Sequence, residues 1–429
     1  MIRAIILGTC MTLLAGSLAA QAPDTLTLDE VLGAARRQDP RQGQFALEQA
    51  RSALRLERIG ADRLPSARLS AQAQYQSEVT SLAGEGMPEL PFPVPAPSRD
   101  TYDARLDVRQ PLFDPTIPSR RAAERAGHAE AAARIEATLH AVRAEAIEAF
   151  FVAALMEART GTIEATLQGL EAARTVAAAR VREGTALPSE EAALRAELLR
   201  RRQDADEARA ERAAALGILS ELTDIPLDTS VILVAHAVVS GTPLPDSVAR
   251  PELALLARRR ERLDLQERAL AAGDLPRLSA FGRAGYGRPG LNLLGNDFGG
   301  WWLGGVQLEW SPRLWRNERR ERELLRLEAE IVATEEAAFR TSVVRAAARD
   351  AAAIERLSQA VVLDEEIVAL RESVERETRL RFDEGVVTSA ELVDRSADVL
   401  AARIARATHL LELARARARY LNLMGLEVK

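Results

Sequence analysis

Cysteine is all but missing. The single one, Cys10, lies in an N-terminal apolar segment, so neither a disulfide framework nor thiolate chemistry is expected of the rest of the chain. Past residue 22 no apolar run reaches the roughly 18 residues of a membrane helix, so no transmembrane helix is expected. Aromatic residues are only 4 % of the 429, and the net charge is −6, with Lys429 the one lysine and arginine supplying the other basic residues. That balance lacks the basic footprint of a nucleic-acid binder. The scattered arginines read as a solvated helix face. The histidines, His128, His140, His236 and His409, have no metal-ligand spacing. Neither a phosphate-cradling loop nor a nucleophile motif is present, so no enzyme activity, cofactor or metal is expected.

Proline is absent from 119–183, a stretch rich in Ala, Glu and Arg that follows Pro118 and is closed by Gly184. Its residues are strong helix formers, interrupted only by Gly127, Gly161 and Gly169 at roughly 1 kcal/mol each. At about 1.5 Å per residue it forms a rod of about 100 Å. A second proline-free stretch from 313 to 384 ends on Gly385. Along it Val344, Ala347, Ala351, Ile354, Leu357 and Val361 follow coiled-coil-like spacing. Rods of this length exclude a compact domain with one core.

The N-terminus reads as an export signal over 1–22: Arg3 supplies the positive end, 4–18 is apolar, and Ala20-Gln21-Ala22 fits a small-x-small cleavage site. Lipid attachment at Cys10 is disfavoured by the bulky Thr9 before it and by the apolar run beyond it. Thr27 and Glu30 then form a capping box that opens a short helix. Pro40 breaks it, and a helix over 40–63 is stopped by Leu64-Pro65.

From residue 67 the period changes from helical to two. Ala67, Leu69, Ala71, Ala73 and Tyr75 share one face, and a loop with five prolines between Pro88 and Pro97 follows. In the next run Tyr102, Ala104, Leu106 and Val108 share one face; Asp103, Arg105, Asp107 and Arg109 share the other. Pro111 is expected to end this strand. The helices 118–183 and 189–220 are joined at Gly184 and Pro188, a left-handed cap and a helix first turn.

After a mixed linker over 221–250 the pattern restarts. Arg250-Pro251 answers Asp39-Pro40, and Leu275-Pro276 answers Leu64-Pro65, both 211 residues on; Pro312 answers Pro111 and Gly385 answers Gly184, both 201 on. The chain is thus a duplicated helix–strand–strand–helix repeat, 23–220 and 251–429, with hairpins over 67–110 and 278–310. The second copy has helices over 251–273, 313–384 and 388–424. Thr388 and Glu391 form a second capping box.

In the run 301–310, Trp302 and Trp310 lie on one face eight residues apart, about 26 Å at 3.3 Å per residue. Outer-membrane strands carry an apolar band of about 25 Å between aromatic girdles. Tyr75, Tyr102, Tyr286, Trp302 and Trp310 are the girdle candidates. Asp103, Arg105, Asp107, Arg109, Arg283 and Glu309, on the opposite faces, suit a water-filled lumen. Four membrane-length strands cannot leave edges open in lipid, so copies of the chain must close the barrel.

These features together resemble the TolC-like outer-membrane efflux family. The resemblance is carried by 26–32 (Leu-Thr-Leu-Asp-Glu-Val-Leu), Leu64-Pro65, 110–114 (Gln-Pro-Leu-Phe-Asp), 381–385 (Arg-Phe-Asp-Glu-Gly) with Leu392, and the closing 420–425 (Tyr-Leu-Asn-Leu-Met-Gly). Each motif is weak alone; the ordered, duplicated set is specific and covers essentially the whole mature chain.

The resemblance implies a mainly α protein with membrane β: a homotrimer whose 12-stranded β-barrel in the outer membrane continues as a 12-helix periplasmic α-barrel. Implied partners are outer-membrane lipid, a periplasmic adaptor and an inner-membrane transporter that supplies energy and selects cargo. The implied function is a passive exit duct of a tripartite efflux or type I secretion system. The family's acidic gate positions fall on Glu391 and Asp394, six and nine residues after Gly385. Acids in a first helical turn also favour the helix dipole. The family's tyrosine–arginine lock falls on Phe382 and Val387, which cannot make its polar contacts. A soluble exported coiled-coil scaffold is the alternative, separated from the duct by detergent dependence.

Overall fold

The computed structural model describes residues 25–79, 98–235, 244–245, 247–291, 296–311 and 318–428. The signal segment with Cys10, the proline-rich loop, His236 and Pro312 lie outside the described residues. The described residues are mostly helical, with one four-stranded antiparallel sheet and one two-stranded sheet among them. Among the described residues no helix is long and apolar enough to cross a membrane.

The element order is β1 (Thr25–Thr27), α1 (Leu28–Gln38), a 3-10 turn (Pro40–Gln42), α2 (Gly43–Ala61), β2 (Ser66–Tyr75), β3 (Asp100–Phe113), α3 (Thr116–Arg182), α4 (Pro188–Thr223), β4 (Ile232–Val234), α5 (Pro251–Ala272), β5 (Arg277–Arg288), β6 (Gly299–Glu309), α6 (Glu318–Asp383) and α7 (Ser389–Met424). Helix, hairpin, long helix, turn and helix follow one another in both halves.

Two compact units share the chain. One contains 1–39, 139–248 and 344–429. Its core packs Val31 and Leu32 of α1 with Ile147, Phe150 and Phe151 of α3, Leu216 and Leu219 of α4, and Ala414 and Ala418 of α7. Phe150 and Phe151 meet edge to face at 5.4 Å. Buried alanines at the helix contacts allow close approach. The 221–250 linker supplies β4, which pairs in parallel with β1: Thr25 with Ile232, Leu26 with Leu233, Thr27 with Val234. Sequence periodicity gave no sign of this sheet.

The second unit contains 40–138 and 249–343. Arginine–carboxylate pairs join its helices. Arg262 of α5 and Arg134 of α3 both bind the buried Glu130; Arg326 of α6 reaches Glu267 of α5 at 2.7 Å. The strands pair in the order β2-β3-β5-β6, leaving β2 and β6 as edges.

Three expectations are corrected. Pro111 does not end β3; it pairs with Ser279, and an irregularity follows before Phe113 meets Leu278. Pairing with β2 stops at Arg109, so this stretch has a neighbour on one side only, where a residue lacking N–H is tolerated. The helix expected over 40–63 begins as the 3-10 turn and is α-helical only over Gly43–Ala61. The buried stripe of α6 passes through Val343, while Val344 is exposed. Val343 lies 11 residues from buried Ile354, almost a whole number of turns, and Val344 lies 10 away.

At the start of α1 the capping box is complete. The Thr27 backbone N–H and hydroxyl each donate to Glu30 at 2.8 Å, and the Glu30 N–H donates back to Thr27 Oγ1 at 3.4 Å. These bonds, the backbone one foremost, hold the Glu30 carboxyl below the usual carboxylate range. Its stabilising effect is therefore present at neutral pH and lost as pH falls through the depressed folded value. Protection factors of the first α1 turn, corrected for the pH dependence of intrinsic amide exchange, are expected to fall on acidification. Glu30→Gln should remove that pH dependence, and Thr27→Ala should cost roughly 1 kcal/mol.

Candidate functional site: the strand sheet and the helix turns

The register of the four-stranded sheet brings the alternating faces into agreement. Leu69, Leu106, Ala284 and Trp302 lie in one row. The same face carries Tyr75, Tyr102, Tyr286, Val306 and Leu308. It is open: Trp302 is 80 % exposed, Leu69 79 % and Leu308 68 %. An apolar face this bare on every strand is costly in water.

The aromatic candidates on this face form a diagonal. Tyr102 lies two residues from the partner of Tyr75, Tyr286 two residues from the partner of Tyr102, and Trp302 two residues from the partner of Tyr286. An offset of about 6.6 Å along the strand per interstrand step of about 4.8 Å is level when strands tilt by about 54°, somewhat steeper than the usual 35–45°. Phe298, which sequence reasoning missed inside a glycine- and asparagine-rich loop, joins Tyr102 and Tyr286 with ring centres 5.9 and 6.0 Å away. Arg288 lies over both Tyr102 and Phe298. Trp310 falls just past the end of β6 and donates its Nε1–H to the Asp274 carbonyl at 3.1 Å.

The other face carries all six lumen candidates. Arg105 pairs with Asp107 at 3.3 Å and Asp103 at 3.6 Å; Arg283 reaches Asp107 at 2.9 Å. Arg109 donates to Gln307 at 3.3 Å, and Glu309 stands opposite Arg277. Trp301 also lies on this face. Its ring covers Gly285, where a Cβ would stand 2.6 Å from the indole, so a side chain at 285 would displace the tryptophan.

In the other unit, the two turns between long helices are built alike. Gly184 has φ +74° and Gly385 φ +79°. Thr185 N–H bonds the Arg180 carbonyl at 2.9 Å, and Val386 N–H bonds the Arg381 carbonyl at 2.8 Å. Each is a left-handed glycine cap with the bond spanning it. Pro188 begins α4. Thr388 Oγ1 accepts the Glu391 N–H at 3.4 Å, which supplies one arm of the expected capping box. Ser389 donates to Glu190 at 3.1 Å, tying one turn to the other.

Glu391 and Asp394 are exposed one turn apart on α7, and neither makes an ion pair among the described residues. Phe382 is 1 % exposed and packs with Leu170, Leu194 and Leu392, with Val387 alongside. Arg180, missed by sequence reasoning because it is one arginine among many on a helix, stacks over Phe382 at 4.9 Å and donates to the Asp383 carbonyl at 2.7 Å. Apolar packing and a cation–π contact therefore hold α3 to α6 at this end. His409 is paired with Asp364 at 2.6 Å, and His140 contacts the Asn422 carbonyl.

By sequence the chain matches no family model and no curated protein. Among solved structures it is similar to CusC, a protein studied for transmembrane channel formation, at 14 % identity and a TM-score of 0.72 over 93 % of this chain and 92 % of that one. It is similar to the outer membrane protein VceC of Vibrio cholerae at 15 % identity and TM-score 0.66, over 94 % and 97 % of the two chains. It is similar to the open state of the Neisseria gonorrhoeae MtrE outer membrane channel at 19 % identity and TM-score 0.67, over 93 % and 89 %. The chain has the fold of outer-membrane channels.

Nothing lies within 4 Å of a Cβ placed on Gly385, so its requirement is conformational alone. Gly385→Ala is expected to destabilise the turn by about 1–2 kcal/mol, and Gly385→Asn by less. Amide exchange of residues flanking the turn, compared between the two variants, checks this.

Proposed function

We propose that the protein is one subunit of a passive outer-membrane efflux duct: a homotrimer that forms a 12-stranded barrel in lipid and continues into the periplasm as a helical tunnel. The observation that carries this reading is the exposed apolar face running across all four strands of a sheet with two open edges. Lipid covers such a face, and backbone edges in lipid must be paired. Successive strands in the order β2-β3-β5-β6 alternate in direction, so β6 of one copy meets β2 of the next antiparallel. That head-to-tail contact generates a closed ring. Two copies of the four strands make only the smallest barrels, whereas three give 12 strands and an aqueous interior.

The polar face then lines the lumen, and Glu391 and Asp394 act at the periplasmic turns as a cation-selective gate. A periplasmic adaptor and an inner-membrane transporter supply energy and choose the cargo, as the sequence resemblance implies.

The expected particle is a detergent-dependent assembly of three chains recovered from the outer-membrane fraction. A soluble monomer or dimer overturns the reading in favour of an exported scaffold.

A paired substitution tests which face meets lipid. Val306→Arg on the apolar face is expected to cost about 2–4 kcal/mol in the bilayer and to deplete the membrane assembly. Gln72→Arg, on the polar face opposite Asp103, should leave assembly intact. Folding and extraction yields of the two variants supply the check.

A further inference from the structure

The polar face of the sheet is not neutral. Arg68, Arg105, Arg109 and Arg283 gather there against only two carboxylates, Asp103 and Asp107. Those two carboxylates are engaged by Arg105 and Arg283: Arg105 bridges both, and Arg283 shares Asp107. Arg68 stands opposite Asp107 in the register, yet it makes no ion pair among the described residues. Arg109 stands opposite Ser66 and finds only the Gln307 amide oxygen, at 3.3 Å. Farther along, Arg277 lies 3.8 Å from Asp114, and Glu309 stands opposite Arg277 in the register. Each sheet thus keeps two exposed guanidinium groups without a carboxylate, in adjacent rows of neighbouring strands. Together with Arg105, Arg283, Phe281 and the already engaged Asp107 they line a groove of about 490 Å³.

We infer that this groove is an anion-binding site, and that its occupants are oxyanions, above all solutes or cargo carrying clustered phosphate or carboxylate groups. A guanidinium presents a planar fork that matches oxyanion geometry, and arginine rings line pores that pass anions. The inference rests on the reading that the polar face lines the lumen. In a threefold ring it places six carboxylate-free arginines around one stretch of barrel. The acidic pair at the helix turns selects for the opposite sign, so the duct carries two charge filters of opposite preference on separate parts of the chain.

The test titrates inorganic tripolyphosphate into the purified detergent-solubilised particle at low ionic strength, where exposed charges are least screened. The particle's mass is measured on the same preparation. The wild-type assembly is expected to bind. The Arg68→Gln/Arg109→Gln double variant should bind at least about tenfold more weakly at unchanged particle mass. The control removes two exposed helix arginines outside the sheet, Arg268→Gln/Arg376→Gln, and should bind as wild type does.

Equal affinity in wild type and the Arg68/Arg109 variant, equal loss in both double variants, or absence of binding to a correctly sized wild-type assembly overturns the proposal and leaves the duct standing. A chain that never forms the detergent-dependent assembly overturns the duct, and the inference falls with it. Should the double variant fail to assemble, the single variants Arg68→Gln and Arg109→Gln carry the same comparison, with intermediate weakening expected.

Discussion

Everything in this molecule depends on where the backbone polar groups and apolar side chains of four short strands can be satisfied at once. Each strand alternates, and the register makes the alternation coherent: apolar residues of β2, β3, β5 and β6 fall on one side in every row. A one-residue slip in any strand would turn its apolar set to the opposite face. Coherence of this kind gives the sheet one apolar side and one polar side, which the proposed duct turns to lipid and to water. In the proposed duct the open edges at β2 and β6 must be paired by copies of the chain, since hydrocarbon offers no replacement hydrogen bonds.

The duplication meets this demand economically. One hairpin comes from each half, and the central β3–β5 pairing joins residues 165 to 186 apart in sequence, from Phe113 with Leu278 to Tyr102 with Arg288. The helices then divide the labour. The unit containing α1, α4 and α7 has a true apolar core around Phe150 and Phe151. The unit containing the sheet buries Ile117, Ile135, Leu263 and Val332 and adds arginine–carboxylate pairs between its helices, of which exposed ones contribute only about 0–1 kcal/mol each. Leu324, Leu327, Ile331, Leu363, Ile367 and Leu370 on α6 remain exposed at helical spacing. A ring of copies would cover such a stripe.

Sequence alone made the repeated elements legible because each obeys a local rule. Period two marked the strands, Pro65 and Pro276 marked the starts of two of them although Pro111 lies inside β3, and positive φ at Gly184 and Gly385 explains why glycine closes both long helices. What stayed hidden depends on distant partners. The β1–β4 sheet is only three residues long on each strand, and neither segment has a period of its own. Phe298 sits among turn formers and gains meaning only when Tyr102 and Tyr286 stand on either side of it. Val344 fits an approximate spacing of three and four residues as well as Val343 does, and only the phase accumulated over three turns separates them. At the helix turns the family resemblance pointed to Glu391 and Asp394 and to Phe382 and Val387; it could not show that Arg180 would stack on Phe382.

The near-total use of arginine in place of lysine bears on the polar side of the sheet. An ammonium is a compact, strongly hydrated charge, whereas a guanidinium can hold a carboxylate with one edge and lie against an aromatic ring with its plane. Arg283 does both, pairing with Asp107 and lying over Phe281 at 5.6 Å. Arg105 similarly spans two carboxylates on its own strand. By engaging both carboxylates in this way, the paired arginines leave Arg68 and Arg109 with no acidic partner on their strands. A guanidinium does not lose its proton in proteins, so the excess positive charge there is a permanent property of the face and not one that pH switches. The same residue type therefore fastens the strands and sets the sign of the surface they present to water.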